Sequence, residues 1–289
     1  MSIAPALIDE GPLALICGGG TLPMAVAEAA SKAGRGVVLF ALRGAADGTA
    51  IERFPHHWLY IGQVGKFMRL ARAAGCRDVV CIGSLVRPSL WQVHPDLKGL
   101  QVMPRVIAAY RGGDNHLLSG MAKILEQDGF RLLGAHMVAP QILVPEGTLG
   151  RAQTSPRDRD DIALGFGYLR AVGPFDVGQA AVVAGKQVLA VEAAEGTDQM
   201  LARIAEMRVN GRLRAASGAG VLVKAAKPTQ DRRFDLPSIG PQTVAGVAQA
   251  GLAGIAVIAG ETIIAEPAEV VRQADRANVF VTGIAAASP

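Results

Sequence analysis

The chain has 289 residues and a mass of 30.0 kDa, a length that suits two domains. Half of its residues are hydrophobic and 19% are charged, which excludes long disorder. Its net charge of +4 is spread without a like-charge block and its aromatics are only 4%, which argues against a dedicated nucleic-acid binder and leaves an anionic small molecule or an acidic membrane surface as partner.

The elements are read in chain order. Residues 13–17 form an apolar run that predicts a buried strand; Gly18–Gly20 is a tight turn; residues 22–34 predict a helix ending at a glycine. Residues 37–42 predict a second strand, 59–62 a third, and 63–75 an amphipathic helix. Residues 78–83 predict another strand, 103–110 the start of a helix, 121–129 a further helix and 131–135 a strand. Such β-α-β-α alternation predicts a doubly wound, mostly parallel, Rossmann-like α/β domain over residues 1–139. Residues 140–160 are polar and rich in turn formers and read as a linker. Residues 161–289 read as a second, mixed α/β domain carrying the catalytic loop. There, 179–184 and 187–193 flank Gly185–Lys186 as a hairpin, followed by a helix (196–207), a strand (220–226), a polar loop, a helix (241–250), a strand (255–259), a helix (267–277) and a last strand (279–282).

Cys17, Cys76 and Cys81 form no C-x-x-C pair, and Cys17 and Cys81 sit in apolar runs. Core thiols in a reducing cytoplasm are expected. No basic region precedes an apolar stretch at the start, so no secretory leader is expected. Residues 244–260 come nearest to a membrane span but hold Gln249 and much Ala and Gly, and read better as a short helix and a buried strand.

Four segments could carry chemistry. In ICGGGTLP, Gly18, Gly19 and Gly20 lead a strand into a helix, where backbone amides approach an anion closely, and Thr21 adds a hydroxyl. The alternative is a tight turn with no ligand. A dinucleotide site is disfavoured, because Pro23 stands where the motif needs glycine and Arg43, not an acid, follows the second strand. The loops IGQVGK and IGSLVRP offer Lys66 and Arg87, and GGDNH offers Asp114 and His116, with Asp114 also a simple helix cap. Around the hairpin, Asp176, Gln179, Glu192, Glu195, Thr197 and Asp198 crowd oxygen ligands that suit Mg²⁺ beside a phosphate. LVKAAKPTQDRRFDLPSIGP is the strongest: Lys224, Lys227, Gln230, Asp231, Arg232, Arg233 and Asp235 follow a buried strand. Cations there would neutralise developing charge, and a carboxylate would hold a metal or take a proton from water. The five histidines show no zinc spacing, and His56–His57 reads as loop.

With GGGTLP, DVGQ, EAAEGTD, GVLVKAAKPTQDRRFDLPSIGP and the closing GLAGIAV…ADRANVFVTG in hand, the sequence resembles the LpxI-type UDP-2,3-diacylglucosamine pyrophosphatases of lipid A synthesis, in order over nearly the whole chain. One departure is Thr229, where the family often has glycine. The resemblance implies two α/β domains and hydrolysis of UDP-2,3-diacylglucosamine to UMP and 2,3-diacylglucosamine 1-phosphate (lipid X), with Mg²⁺ and with water attacking the sugar-side phosphorus. It implies a cytoplasmic protein working at the inner-membrane surface. Under this reading Gly18, Gly19, Gly20 and Thr21 hold the nucleotide; Gln179, Thr197, Lys224 and Arg233 bind substrate; Asp231, Lys227, Asp235 and Arg232 are catalytic; and Asp231 and Glu195 hold the metal. A non-catalytic nucleotide-sugar binder is the alternative. Base rates alone suggest a homodimer.

Overall fold

The computed structural model describes residues 11–85, 93–110, 114–213, 216–227 and 231–286, with the backbone alone for 105–106, 108–110 and 114–119. Arg87, Gly112, Gly113, Thr229 and Gln230, and the side chains of Asp114 and His116, lie outside the described residues. The chain divides into two compact units. The first runs through Pro140 and also takes Asp231–Asp235; the second takes the remainder from Gln141.

The first unit holds β1 (Leu13–Cys17), α1 (Leu22–Lys32), β2 (Val37–Leu42), α2 (Gly48–Ile51), β3 (His56–Leu59), α3 (Val64–Ala73), β4 (Asp78–Ile82), α4 (Leu97–Tyr110), α5 (Asp114–Gln127), β5 (Arg131–Leu132) and α6 (Ala135–Val138). Its five strands lie in the order β3-β2-β1-β4-β5, every pair parallel. This is a doubly wound sheet, whose ligands bind beyond the carboxyl ends of the strands. The strands are continuous apolar runs because helices cover both faces. Phe67, Met68 and Ala71 of α3 and Ile124 and Leu125 of α5 pack on Phe40, Ala14 and Val79, while Val26, Ala27 and Ala30 of α1 are buried in its contact with β1 and β2.

The third strand corrects two expectations. It spans His56–Leu59, not residues 59–62, and so takes up the His56–His57 pair read as loop. Pairing to Leu39 and Phe40 satisfies the backbone, His57 packs against the Phe40 ring, and Gly62 (φ +99°) turns the chain where the strand was expected to end.

The second unit holds β6 (Gly147–Leu149), α7 (Pro156–Val172), β7 (Ala180–Ala184), β8 (Gln187–Val191), α8 (Gly196–Val209), β9 (Val221–Lys224), β10 (Ser238–Ile239), α9 (Pro241–Gln249), β11 (Gly254–Ile258), β12 (Ile263–Ile264), α10 (Pro267–Ala277) and β13 (Phe280–Ile284). Six strands lie in the order β6-β13-β11-β9-β7-β8, with β9, β11 and β13 parallel and β6, β7 and β8 antiparallel to their neighbours. β10 and β12 form a separate parallel pair. One face of the large sheet packs on Met200, Leu201 and Ile204 of α8, Val244 and Val247 of α9 and Val270 of α10. The other packs on Ile162 and Leu169 of α7.

Residues 140–160, expected as a linker, hold the division between the two units after Pro140 and also the edge strand β6 and the start of α7. That helix hides in a polar, glycine-bearing sequence for two reasons. Its start is fixed by a capping box, with Ser155 and Asp158 each accepting the other's backbone N–H. Gly165 is pressed against the sheet, where a β-carbon would lie 2.5 Å from a Val223 methyl. Buried Asp161 accepts the N–H groups of Gly185 and Lys186 and so holds the hairpin turn, where both residues have positive φ. Residues 244–260 are the end of α9 followed by β11, and among the described residues no helix is long and apolar enough to cross a membrane. Burial pushes the Cys17 thiol up to about 12 and that of Cys76 up to about 11, as befits inert core thiols.

Candidate active site

The glycine turn does less for a ligand than its sequence suggests. Gly18 N–H donates to the Ile82 carbonyl and Gly19 N–H to the Ser84 carbonyl, at 2.9 and 2.8 Å. A β-carbon at Gly18 would lie 2.6 Å from the Ser84 oxygen, and one at Gly19 2.9 Å from the Ala45 oxygen. These two glycines are therefore required by the close approach of the β1 and β4 exits, and their amides are committed there. Gly20 differs: it needs glycine for its φ of +87° and has open space around it. Thr21 is the N-cap residue of α1, without a side-chain cap. The open space beside this turn is at Gly20, ahead of the first turn of α1.

Within the second unit, two expected binding residues, Gln179 and Lys224, meet Glu192 at one sheet edge. Gln179 precedes β7, Glu192 follows β8 and Lys224 ends β9; the antiparallel register brings all three to the edge where the parallel strands end. Glu192 is buried and accepts the Gln179 backbone N–H at 3.0 Å and the Thr197 hydroxyl at 3.0 Å. Lys224, also buried, donates to the Thr197 hydroxyl at 3.0 Å and to the Ser238 carbonyl at 2.9 Å. Thr197 therefore bridges a buried ammonium to a buried carboxylate from the first turn of α8. Glu192 is central to this group, and its signal in the sequence is its place right after an apolar strand. Lys227 pairs instead with Asp176 at 2.8 Å, and Glu195 with Arg203 at 3.0 Å.

In the first unit, residues 231–235 make a tight turn in which Phe234 and Asp235 N–H groups donate to the Asp231 carbonyl. Phe234 packs against the core that includes Phe67 and Phe130. Arg233 clamps the Asp231 carboxylate with its backbone N–H (3.0 Å), Nε (3.1 Å) and Nη2 (2.8 Å), and its Nη1 reaches Glu126 of α5. The Arg233 side chain holds the Asp231 carboxyl below the usual carboxylate range, against the opposing effect of burial. Arg233 thus works on Asp231 rather than standing open to a substrate, while Arg232 is exposed. Next to this turn burial, and then the charge of Arg232, push the His136 imidazole below its ordinary value, and its buried Nδ1 has no hydrogen-bond partner. Sequence reading passed over His136 and Glu126, since neither belongs to a motif.

The expected site residues accordingly fall into two groups: Gln179, Thr197, Glu195, Lys224 and Lys227 in the second unit, and Gly18–Thr21, Asp231, Arg232, Arg233 and Asp235 in the first. Among the described residues no three His, Cys, Asp or Glu side chains gather to hold a metal by themselves. Ionised Asp231 offers the hard oxygen that Mg²⁺ takes, and one or two carboxylates suffice where a substrate phosphate and water complete the shell.

A solved structure of glycinamide-RNase-transformylase T from Mycobacterium tuberculosis is 14% identical, covers 63% of this chain and 43% of its own, and has a TM-score of 0.24, too low to carry an argument. The UDP-2,3-diacylglucosamine pyrophosphatase LpxI of Caulobacter vibrioides is 42% identical over 273 residues, covering 94% of this chain and 97% of its own length. The family models for the LpxI N-terminal and C-terminal domains match residues 12–142 and 145–282 in turn. With both domains matched in order, the chain belongs to the LpxI family.

Proposed function

We propose that this protein hydrolyses the pyrophosphate bond of UDP-2,3-diacylglucosamine, releasing UMP and 2,3-diacylglucosamine 1-phosphate, with Mg²⁺. The observation that carries the reading is the 42% identity to the pyrophosphatase of Caulobacter vibrioides across nearly the full length of both chains. The chemistry of the residues supports it. A diphosphate brings negative charge that must be met by cations, and Lys224, Lys227 and Arg232 are the proposed partners. Lys224 is held ready by Thr197 and Ser238, and the Thr197 hydroxyl and Gln179 are proposed to position the sugar phosphate. The Gly20–Thr21 end of the glycine turn is the proposed seat for the nucleotide.

In this reading Asp231, ionised and oriented by Arg233, would hold Mg²⁺, while Glu195, the second ligand expected from sequence, is paired with Arg203. The metal would neutralise diphosphate charge when bound. Asp235, in the same tight turn as Asp231, takes a proton from the water that attacks the sugar-side phosphorus. The protein works on a lipid of the inner-membrane surface from the cytoplasmic side.

Incubation with UDP-2,3-diacylglucosamine and Mg²⁺ in ¹⁸O-water tests the proposal. UMP is expected together with label in the phosphate of the lipid product. No UMP at any protein concentration would leave a nucleotide-sugar binder; label in UMP would move the attack to the other phosphorus. Excess chelator is expected to abolish turnover and Mg²⁺ to restore it, and full activity in chelator would remove the metal.

A further inference from the structure

Three sequence runs of the second unit meet at one side chain, that of Glu192. They are DVGQ, EAAEGTD and the run from Gly220 to Pro241. Gly178 of the first run lies against Glu192: its N–H donates to the Glu192 carbonyl at 3.0 Å, and a β-carbon there would sit 2.6 Å from Glu192 Cγ. The next residue, Gln179, gives its backbone N–H to Glu192 Oε2, and Thr197 gives its hydroxyl to Oε1, each at 3.0 Å. Both oxygens of this buried carboxylate are thus held by donors of the chain itself.

The direction of the hydrogen bonds follows from the groups. An ammonium only donates and a carboxylate only accepts. The single proton of the Thr197 hydroxyl therefore points to Glu192, and its oxygen accepts from Lys224 Nζ at 3.0 Å. Lys224 donates also to the Ser238 carbonyl at 2.9 Å. One directed chain runs from Lys224 through Thr197 to Glu192. While it stands, Thr197 has no proton to give a phosphate and acts on one through the place it gives Lys224.

Stability does not account for such a chain. A buried ammonium and a buried carboxylate are costly to desolvate and gain little over apolar residues of the same size. Their position offers a use. Lys224 ends β9, at the carboxyl edge of the parallel strands, where ligands of α/β sheets bind. A cation there serves an anion best when its place is fixed before the anion arrives.

We propose that Glu192 is a positioning residue for the sugar phosphate: through Thr197 it fixes the Lys224 ammonium at the end of β9, and so sets the affinity for that phosphate without touching it. The proposal rests on the reading above, in which Lys224 and Thr197 serve the sugar phosphate of UDP-2,3-diacylglucosamine.

The test is isothermal titration calorimetry of the full chain with 2,3-diacylglucosamine 1-phosphate in detergent micelles and, separately, with UMP, beside the rate of UMP release from UDP-2,3-diacylglucosamine. Glu192→Gln leaves one acceptor oxygen for two donors, and Thr197→Val removes the link. Each is expected to bind the lipid phosphate about tenfold more weakly, as for one lost hydrogen bond to a charged group, with UMP affinity unchanged. Thr197→Ser keeps the hydroxyl and should bind both ligands like wild type. Glu192→Gln/Thr197→Val should bind no more weakly than the weaker single variant, since both cut one chain. Where Glu192→Gln does not fold, Glu192→Asp, which keeps the charge but draws the oxygens back from Thr197, should show the same selective loss. A merely structural role would lower both affinities together, and that result overturns the proposal. Single variants that hold the lipid phosphate like wild type, a Thr197→Ser as weak as Thr197→Val, or additive losses in the double variant would overturn it too. A wild type that binds the lipid phosphate but releases no UMP would overturn the reaction and leave the positioning standing; one that does not bind the lipid phosphate would overturn both.

Discussion

At the scale of single residues, Asp231 and Thr197 carry the sharpest expectations. Asp231→Ala is expected to lose most turnover while the chain stays folded and binds substrate, measured by product formation beside circular dichroism and a binding assay; normal rates would remove Asp231 from the mechanism. Its pH dependence has a definite sign. Arg233 holds the Asp231 carboxyl below its ordinary value, so the ionised form persists at neutral pH and is lost only as pH falls below the usual carboxylate range. An acid limb arising from Asp231 should lie in that low range and move upward in Arg233→Gln. Thr197→Val would strand a buried ammonium and a buried carboxylate without their shared hydroxyl, at about 1–3 kcal/mol. Thr197→Ser keeps the hydroxyl and should restore most of that stability in urea unfolding.

At the scale of elements, the glycine turn separates two uses of one residue type. Gly20→Ala places a side chain at φ +87° in open space and is expected to cost about 1 kcal/mol. Gly18→Ala sets a β-carbon against the backbone of residues 83 and 84, which has no flexible end to move, and should cost more. Urea midpoints of the two variants check the order. The same turn shows how legible local structure was. GGG between an apolar strand and a helix announces a close backbone approach, but not whether a phosphate or another strand's exit makes it. Here the Ile82 and Ser84 carbonyls take two of the amides. Helix α7 was illegible because its apolar face is narrow: Gly165 stands where a larger side chain would clash with Val223, and the polar residues at its start belong to the cap. β3 was misplaced because two histidines after Pro55 resemble a loop until pairing with β2 is seen.

At the scale of the whole molecule, the first unit is anchored by a buried ion cluster at the start of β4. Asp78 accepts from Arg35 Nη2 and from Arg131 Nε and Nη2, at 2.5, 2.7 and 2.9 Å. Burial alone would raise the Asp78 carboxyl, but the hydrogen bonds of Arg131 and Arg35 outweigh it and hold it low. A depressed carboxyl stabilises the fold above its unfolded value and stops doing so as pH falls through the folded one. Acid unfolding should therefore show a loss of stability below the usual carboxylate range that is absent in Asp78→Asn. That variant, with Arg35 left buried and unpaired, should already be about 3 kcal/mol less stable at neutral pH in urea melts.

Periodicity and punctuation alone determined the two α/β halves, the Leu13–Cys17 and Val37–Leu42 strands, the Gly185–Lys186 hairpin and helix α10, because those signals are local: a two- or 3.6-residue repeat ended by glycine. The motifs likewise carried the family, since EGTD and the Lys227–Asp235 run are read from residue order. Tertiary structure decided that Asp231–Asp235 packs with the first unit, that Arg233 serves Asp231, and that Thr197 joins Lys224 to Glu192. Those outcomes depend on sheet order and register, which bring together residues far apart along the chain and leave no periodic trace in it.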